Sequence, residues 1–377
     1  MPVNDSSIPV LSFFTGGGFL DIGFERAGFK IVWTNENDPA VATMYAYGMT
    51  SWRRARTKRA TEATITNTHD VSSVQAHMIK KQAFAEDVPR IFGVIGGPPC
   101  PDFSKAGRHE GSNGTNGKLT KTYVNRITAL NPDFFVLENV AGLFRTKRHR
   151  AFLAELERRL EANSYCLDLK ILNALELGVP QDRERLIMIG IQSHVMKRCV
   201  GRNVAQTERG WFPWPELPKY RNAKTRFDWP AMSTFGETPE RPKDIPRELT
   251  VAEALRGLPE ANSKDQFNAY SKRFSTVKEG DTKRKSFKRL HRYRFSPTAC
   301  YGHREVHLHP WKKRRLSVRE AMRVQGIPDE YALPAESTLG AKFAIVSNGV
   351  PVPLAFHVAK CLNKFLKPAL RNHRAER

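Results

Sequence analysis

Cysteine is scarce: the five in this chain (Cys100, Cys166, Cys199, Cys300 and Cys361) are odd in number, widely spaced and never arranged as CxxC. That pattern argues against a disulfide framework and against a zinc site, and no other metal-ligand spacing is present. Long apolar runs are missing too. No window approaches the roughly 18–20 apolar residues of a membrane span, and MPVNDSSIPVLSFF has no charged region ahead of a long apolar stretch. The chain therefore reads as a soluble, cytoplasmic protein that uses no membrane. Acidic residues are outnumbered, 38 against 61 Lys plus Arg, which gives a net charge of +23. Such an excess favours a polyanionic partner, nucleic acid ahead of an anionic membrane surface; the alternative is a basic surface that only solvates the protein.

What is there begins with alternation. Val10 to Phe14, Ile31 to Thr34, Phe92 to Ile95, Phe134 to Leu137 and Leu186 to Ile191 are short apolar runs separated by helix-like stretches, the signature of a parallel α/β sheet. Ala151 to Ala162 carries apolar residues at helical spacing, as a crossover helix does. From about Gln192 to Trp311 the texture changes. Prolines cluster in WFPWPELPKY, and Thr282 to Arg294 holds seven Lys or Arg and no acid. Regular patterning returns with the helix SVREAMRVQG and the closing helix VPVPLAFHVAKCLNKFL. The basic run Trp52 to Arg59 reads equally well as a nucleic-acid contact or a solvated loop.

Four segments carry chemistry. In VLSFFTGGGFLDIGF, Gly16, Gly17 and Gly18 follow a strand directly, so backbone there approaches a ligand closely. The turn is neither a dinucleotide fingerprint, since Asp21 stands at the third glycine position, nor a phosphate loop, since no GK[ST] follows. Glu36, twenty residues after Gly16, is placed to accept hydrogen bonds from ribose hydroxyls, and Asp70 in THDV is placed to hold an adenine amino group. Each alone reads as a cap or surface acid. Together with the glycines they describe an adenosine pocket without a diphosphate cradle, which S-adenosylmethionine fits. The second segment, GVIGGPPCPDFSKAG, delivers Cys100 from a strand through two glycines and two prolines, a rigid setting for a nucleophilic thiolate. Beyond it, Ser104 to Lys118 has four glycines and reads as a mobile loop. The third, FFVLENVAGL, brings Glu138 to the C-terminal end of a strand. In the fourth, VPQDRERLIMIG, Arg183 and Arg185 alternate on one face of an extended segment entering another strand; a pair of salt bridges is the alternative reading.

The ordered set FxGGGF, GGPPCxDFS, ENV, QDRER, SVREAMRVQG and SNGVPVPLA closely resembles the DNA cytosine-5 methyltransferases, over roughly residues 8–191 and 292–366. The resemblance implies that Phe14, Gly16 and Gly18 line the S-adenosylmethionine site, with Glu36 on the ribose, Asp70 on the adenine, and Pro98, Leu119, Asn348 and Val350 completing the pocket. It implies Cys100 as nucleophile, Glu138 on the N3/N4 edge of cytosine, and Arg183 with Arg185 on O2 and the neighbouring phosphate. Arg319, Glu320 and Arg323 resemble the family's structural helix. Ser12, Phe19, Pro101 and Ser347 depart from the usual pattern.

The fold expected is α/β: a Rossmann-like S-adenosylmethionine-dependent methyltransferase domain with a mostly parallel sheet, plus a smaller target-recognition domain. Residues 1–191, completed by 340–367, would form the catalytic domain, 192–310 the target-recognition domain, 311–339 the inter-domain helix region and 368–377 a basic tail. The expected partner is double-stranded DNA, with phosphate contacts from Lys283 to Arg294 and Lys312 to Arg315. The expected protein is a bacterial, nucleoid-associated monomer of a restriction-modification system, whose cognate restriction endonuclease forms no stable complex with it. A tRNA cytosine-5 methyltransferase shares the motifs and remains an alternative, as does a binding protein that keeps the fold without activity. An amino-methyltransferase is disfavoured because GGPPC replaces its Asp/Asn-Pro-Pro-aromatic motif.

Overall fold

The computed structural model of the chain describes residues 7–57, 62–85, 87–99, 115–302 and 305–371. Its frame is a six-stranded sheet built from β1 Ile8–Phe13, β2 Phe29–Asn35, β3 Gly93–Gly96, β4 Phe134–Val140, β5 Tyr165–Asn173 and, after the short β6 Gln181–Asp182, β7 Glu184–Gln192. The order is β2-β1-β3-β4-β7-β5. Pairs β1–β2, β1–β3 and β3–β4 are parallel, while β7 runs antiparallel to both neighbours. The mostly parallel sheet expected from the alternation is therefore present. All five apolar runs lie in it, but β5 was not among them. Its sequence YCLDLKILN is interrupted by Asp168 and Lys170, and Asp168 is buried because Oδ2 accepts the Phe212 N–H at 2.9 Å.

Helices α1 Phe19–Arg26, α2 Pro39–Arg56, α3 Ala76–Phe84 and α4 Thr115–Leu130 link the parallel strands. After β4 come α5 Gly142–Arg145 and α6 Lys147–Ala162, and after β7 comes α7 Ser193–Val200. Because successive strand residues point to opposite faces, Val10, Ile95 and Val136 join one apolar layer and Leu11, Val94 and Phe135 the other. The first layer is closed by the last helix, which crosses α1 so tightly that a Cβ on Gly23 would lie 2.4 Å from Ala355.

The segment after α7 has little regular structure. Its elements are one-turn helices, among them α8 Ala223–Arg226, α9 Val251–Ala254 and α10 Arg273–Thr276, and the two-residue β8 Ser296–Pro297, which pairs parallel with β6. The boundary expected at 192 falls too early, since Val195, Met196, Val204 and Phe212 pack into the core of the sheet. α11 Val318–Val324 starts with a reciprocal capping box between Ser317 and Glu320. α12 Leu339–Asn348 and α13 Val352–Arg371 then return to the sheet. The expected tail from 368 also changes: α13 continues through Pro368 to Arg371 with Ala369 buried, and residues 372–377 lie outside the described residues. Leu339–Arg371 is, by length and composition, apolar enough for a membrane span, against the expectation that no window would qualify. It is instead two helices separated at Gly349, and 56% of its most apolar window is buried inside the protein.

Candidate active site

Strand order locates the site. Leaving β1 the chain crosses to β2 on one side, while β3 lies on the other, so a crevice opens beyond the C-terminal ends of β1 and β3. The glycine turn after β1 and Gly97–Pro99 after β3 enter that crevice. Glu138 arrives near the end of β4. Since β7 is antiparallel, it begins where β4 ends, with Arg185 opposite Val140. A cavity of about 1480 Å³ results, larger than the roughly 300–1,000 Å³ of a pocket for one small ligand.

At the glycine end, Phe14 takes a left-handed φ of 51°, a strained value for an aromatic residue, and its ring meets Tyr123 edge-on at 5.9 Å. The Glu36 carboxylate accepts the Gly16 N–H at 3.1 Å and the Asp38 N–H at 3.0 Å, which ties the end of β2 to the turn. Asp70 also lines the cavity, although its Oδ1 accepts from Ser72 N and Oγ, bonds that lower its pKa. Pro98, Leu119, Asn348 and Val350 also line the cavity. Gly18 does not. It caps α1 at φ 74°, and a Cβ there would meet Tyr45 at 2.7 Å and Met49 at 2.8 Å, so its small size serves packing beneath the turn.

Below the turn, Asp21 is fully buried, accepting from Ser12 Oγ at 2.7 Å and Tyr45 Oη at 3.0 Å. Burial raises its pKa to about 7 despite these donors. The departure at Ser12 thus has a partner. Nothing in the neighbours of Asp21 marks it as buried, and nothing in the type of Val71 or Ile345, both on the cavity wall, points to a ligand.

At the other end, Glu138 is 8% exposed and its Oε1 is 2.8 Å from Arg185 Nε. Burial raises the Glu138 pKa, opposed by Arg185 and Arg183. Gly97 is the residue that permits this packing, since a Cβ there would come within 2.6 Å of Glu138 Oε2. Beside Glu138, Asn139 Nδ2 is buried with no partner among the described residues. Cys100 and the glycine-bearing stretch as far as Gly114 lie outside the described residues; Pro99, immediately before Cys100, lines the cavity.

The two arginines both line the cavity but have different partners. Arg183 is 1% exposed, and its guanidinium donates to the carbonyls of Ala299 (3.1 Å), Ser347 (2.6 Å) and Gly349 (3.0 Å). Only Arg185 reaches Glu138. Three residues not anticipated, Ala299, Cys300 and Tyr301, complete this wall, held by Thr298 Oγ1 donating to Asp182 O at 2.6 Å.

The basic runs divide similarly. Arg289 is fully buried and donates to the carbonyls of Phe274, Val277, His309 and Lys312. Arg292 pairs with the buried Glu279, Arg314 with Glu320 and Lys312 with Glu260. Lys283, Lys285 and Lys313 are exposed. In the run from Trp52, Arg53 pairs with Glu25 and Arg54 with Glu62 at the C-terminal end of α2, where cations suit the helix dipole; residues 58 and 59 lie outside the described residues.

Residues 8–364 match the family of C-5 cytosine-specific DNA methylases. The type II methyltransferase M.NmeDI of Neisseria meningitidis serogroup C is 40% identical over 97% of this chain and 84% of its own length. The type II methyltransferase M.FnuDI of Fusobacterium nucleatum is 30% identical over 95% of this chain and 94% of its own. Among solved structures, the S. pombe Dnmt2 methyltransferase superposes with a TM-score of 0.59 at 13% identity, covering 96% of this chain and 99% of that one, which is a likeness of fold.

Proposed function

The chain belongs to the C-5 cytosine-specific DNA methylases, DNA cytosine-5 methyltransferases that use S-adenosylmethionine as methyl donor, and we propose that Cys100, Glu138 and Arg185 perform this transfer on a cytosine flipped out of a duplex. The observation that carries the assignment is the buried Glu138–Arg185 pair, packed against the turn that leads into Cys100 and sharing one cavity with the glycine turn.

The glycine end suits S-adenosylmethionine by the chemistry of its donor set. A Cβ on Gly16 would meet nothing nearer than the Phe14 carbonyl at 4.0 Å, Glu36 lies at the strand end where ribose hydroxyls would be accepted, and Asp70, Leu119, Asn348 and Val350 would hold the adenine and the remainder. When bound there, the cofactor supplies an electrophilic methyl carbon.

C5 of cytosine is a weak nucleophile. The Cys100 thiolate adds at C6, and the displaced pair makes C5 enamine-like while Glu138 holds N3 and N4. A carboxyl whose pKa is raised by burial is suited to share a proton with N3, and Arg185 keeps its second oxygen in place. C5 then takes the methyl group, loses its proton to a base or water, and the C6–S bond breaks to return the thiolate. Flipping the base costs a few kcal/mol, recovered in part by phosphate contacts from the exposed lysines of the recognition segment.

The relatives aligned over most of both chains are type II methyltransferases, which supports an enzyme of a bacterial restriction-modification system, here taken to act as a monomer. It would act on cytoplasmic duplex DNA beside a cognate endonuclease that it does not bind stably. Transfer of labelled methyl to a duplex but not to tRNA, lost in Cys100→Ala, tests the reaction. Bisulfite sequencing of DNA from expressing cells then gives the target. Absence of any protected cytosine would overturn the proposal.

A further inference from the structure

α12 ends without the devices that usually satisfy a helix C-terminus. Gly349 follows it at φ −66°, so no left-handed cap forms, and the last turn has no basic residue. Its free carbonyls are met from a distance. Gln325 Nε2 donates to Val346 O and, at 2.8 Å, to Gly349 O, while Arg183 Nη2 donates to Ser347 O at 2.6 Å and to Gly349 O at 3.0 Å. Both side chains are buried and converge on one carbonyl. From the other side the Phe19 ring presses on the same turn, since a Cβ on Gly349 would lie 2.1 Å from it. Gln325 is itself fixed as the C-cap residue that directly follows α11, whose start is locked by the Ser317–Glu320 box.

The residues so held, Ser347 to Val350, form one wall of the cavity. We propose that Gln325 is a positioning residue for the methyl-donor site, acting with Arg183 to fix the end of α12 so that Asn348 and Val350 keep their place on the wall. This rests on the reading that the glycine end of the cavity takes S-adenosylmethionine. It gives Arg183 a role different from base contact: through its fork the segment carrying Arg185 and the segment at Ala299, just after β8, are fastened to the cofactor wall.

The test is calorimetric binding of S-adenosylmethionine to the full chain, with thermal denaturation and hydrogen exchange of residues 345–350 in parallel. Gln325→Met removes two donors at nearly constant volume and is expected to raise Kd about fivefold to tenfold. Exchange at 345–350 should speed up, and kcat at saturating cofactor should stay within about twofold. Gln325→Asn, a milder change that withdraws the amide by one methylene, should move Kd the same way by about twofold to threefold. An unchanged Kd in a folded variant, whatever its Tm, overturns the proposal. Failure of the underlying reading looks different: the unaltered chain would not bind S-adenosylmethionine, or Glu36→Ala would leave its binding intact.

Discussion

The sheet around the cavity and the segment from Gly201 to Leu316 handle buried charge in different ways. In the sheet, strand ladders satisfy the backbone, so the Glu138–Arg185 pair is left facing a cavity and open to a substrate. The later segment has hardly any ladder among its described residues, and its buried charges take over that duty: Arg289 alone serves four carbonyls, and Glu279 accepts from Arg292 through backbone and side chain. A buried carbonyl needs a donor from somewhere, and where strands do not supply it a guanidinium does. Arg183 shows the same use on the catalytic side, at the one place where α12 ends without a cap.

The largest effect expected from this contrast is on stability. Arg289→Met leaves four carbonyls without their donor, and at roughly 1–3 kcal/mol for each buried unsatisfied group the segment from Gly201 to Leu316 should lose at least about 4 kcal/mol. Hydrogen exchange should quicken there while β1, β3 and β4 stay protected; equal loss in both regions would break the comparison. Glu138→Gln should do the reverse. It keeps the fold, with Tm nearly constant, and lowers kcat about 10²–10³-fold, because the lost interaction stabilises charge during reaction.

Acidity should separate the regions next. Burial holds His291 and His307 neutral, with pKa values of about 4 and about 3. Their folded values lie below the roughly 6.5 of an unfolded histidine, so the stability they confer is complete above that pH and drains away as pH falls toward 4. Asp21 has the opposite sign. Its folded pKa of about 7 exceeds 3.8, so its contribution is present at low pH and lost as pH rises through 7. Region-resolved exchange between pH 4 and 7, corrected for intrinsic rates, should show the segment around His291 and His307 tightening and the glycine turn loosening as pH rises. Asp21→Asn should remove the second trend only. The smallest effect belongs to Lys283→Ala and Lys285→Ala, each expected to lower the salt slope of DNA affinity by about one unit without changing the sequence methylated.

Much of the site was legible because its chemistry is written in local motifs: a strand, a turn-forming pair and one reactive residue, as in GGPPC and ENV. The five strands flagged by short, largely apolar runs were legible for the same reason. Burial across the chain was not. Arg183 and Arg185 look alike at a spacing of two, yet one meets carbonyls from residues 299, 347 and 349 and the other meets Glu138. β5 was hidden by Asp168, whose partner at Phe212 lies 44 residues away. Lys283 to Arg294 read as one basic patch, although Arg289 faces inward over the Phe235 ring at 4.0 Å.

The most direct measurement uses a duplex carrying 5-fluorocytosine at the methylated position, since a fluorine at C5 cannot leave as the proton does and the C6–S bond is then retained. With S-adenosylmethionine present, the full chain should form a denaturant-resistant adduct whose mass spectrum locates the bond at Cys100, and Cys100→Ala should form none. An adduct mapped to another residue, or methyl transfer to DNA that persists in Cys100→Ala, would contradict the account.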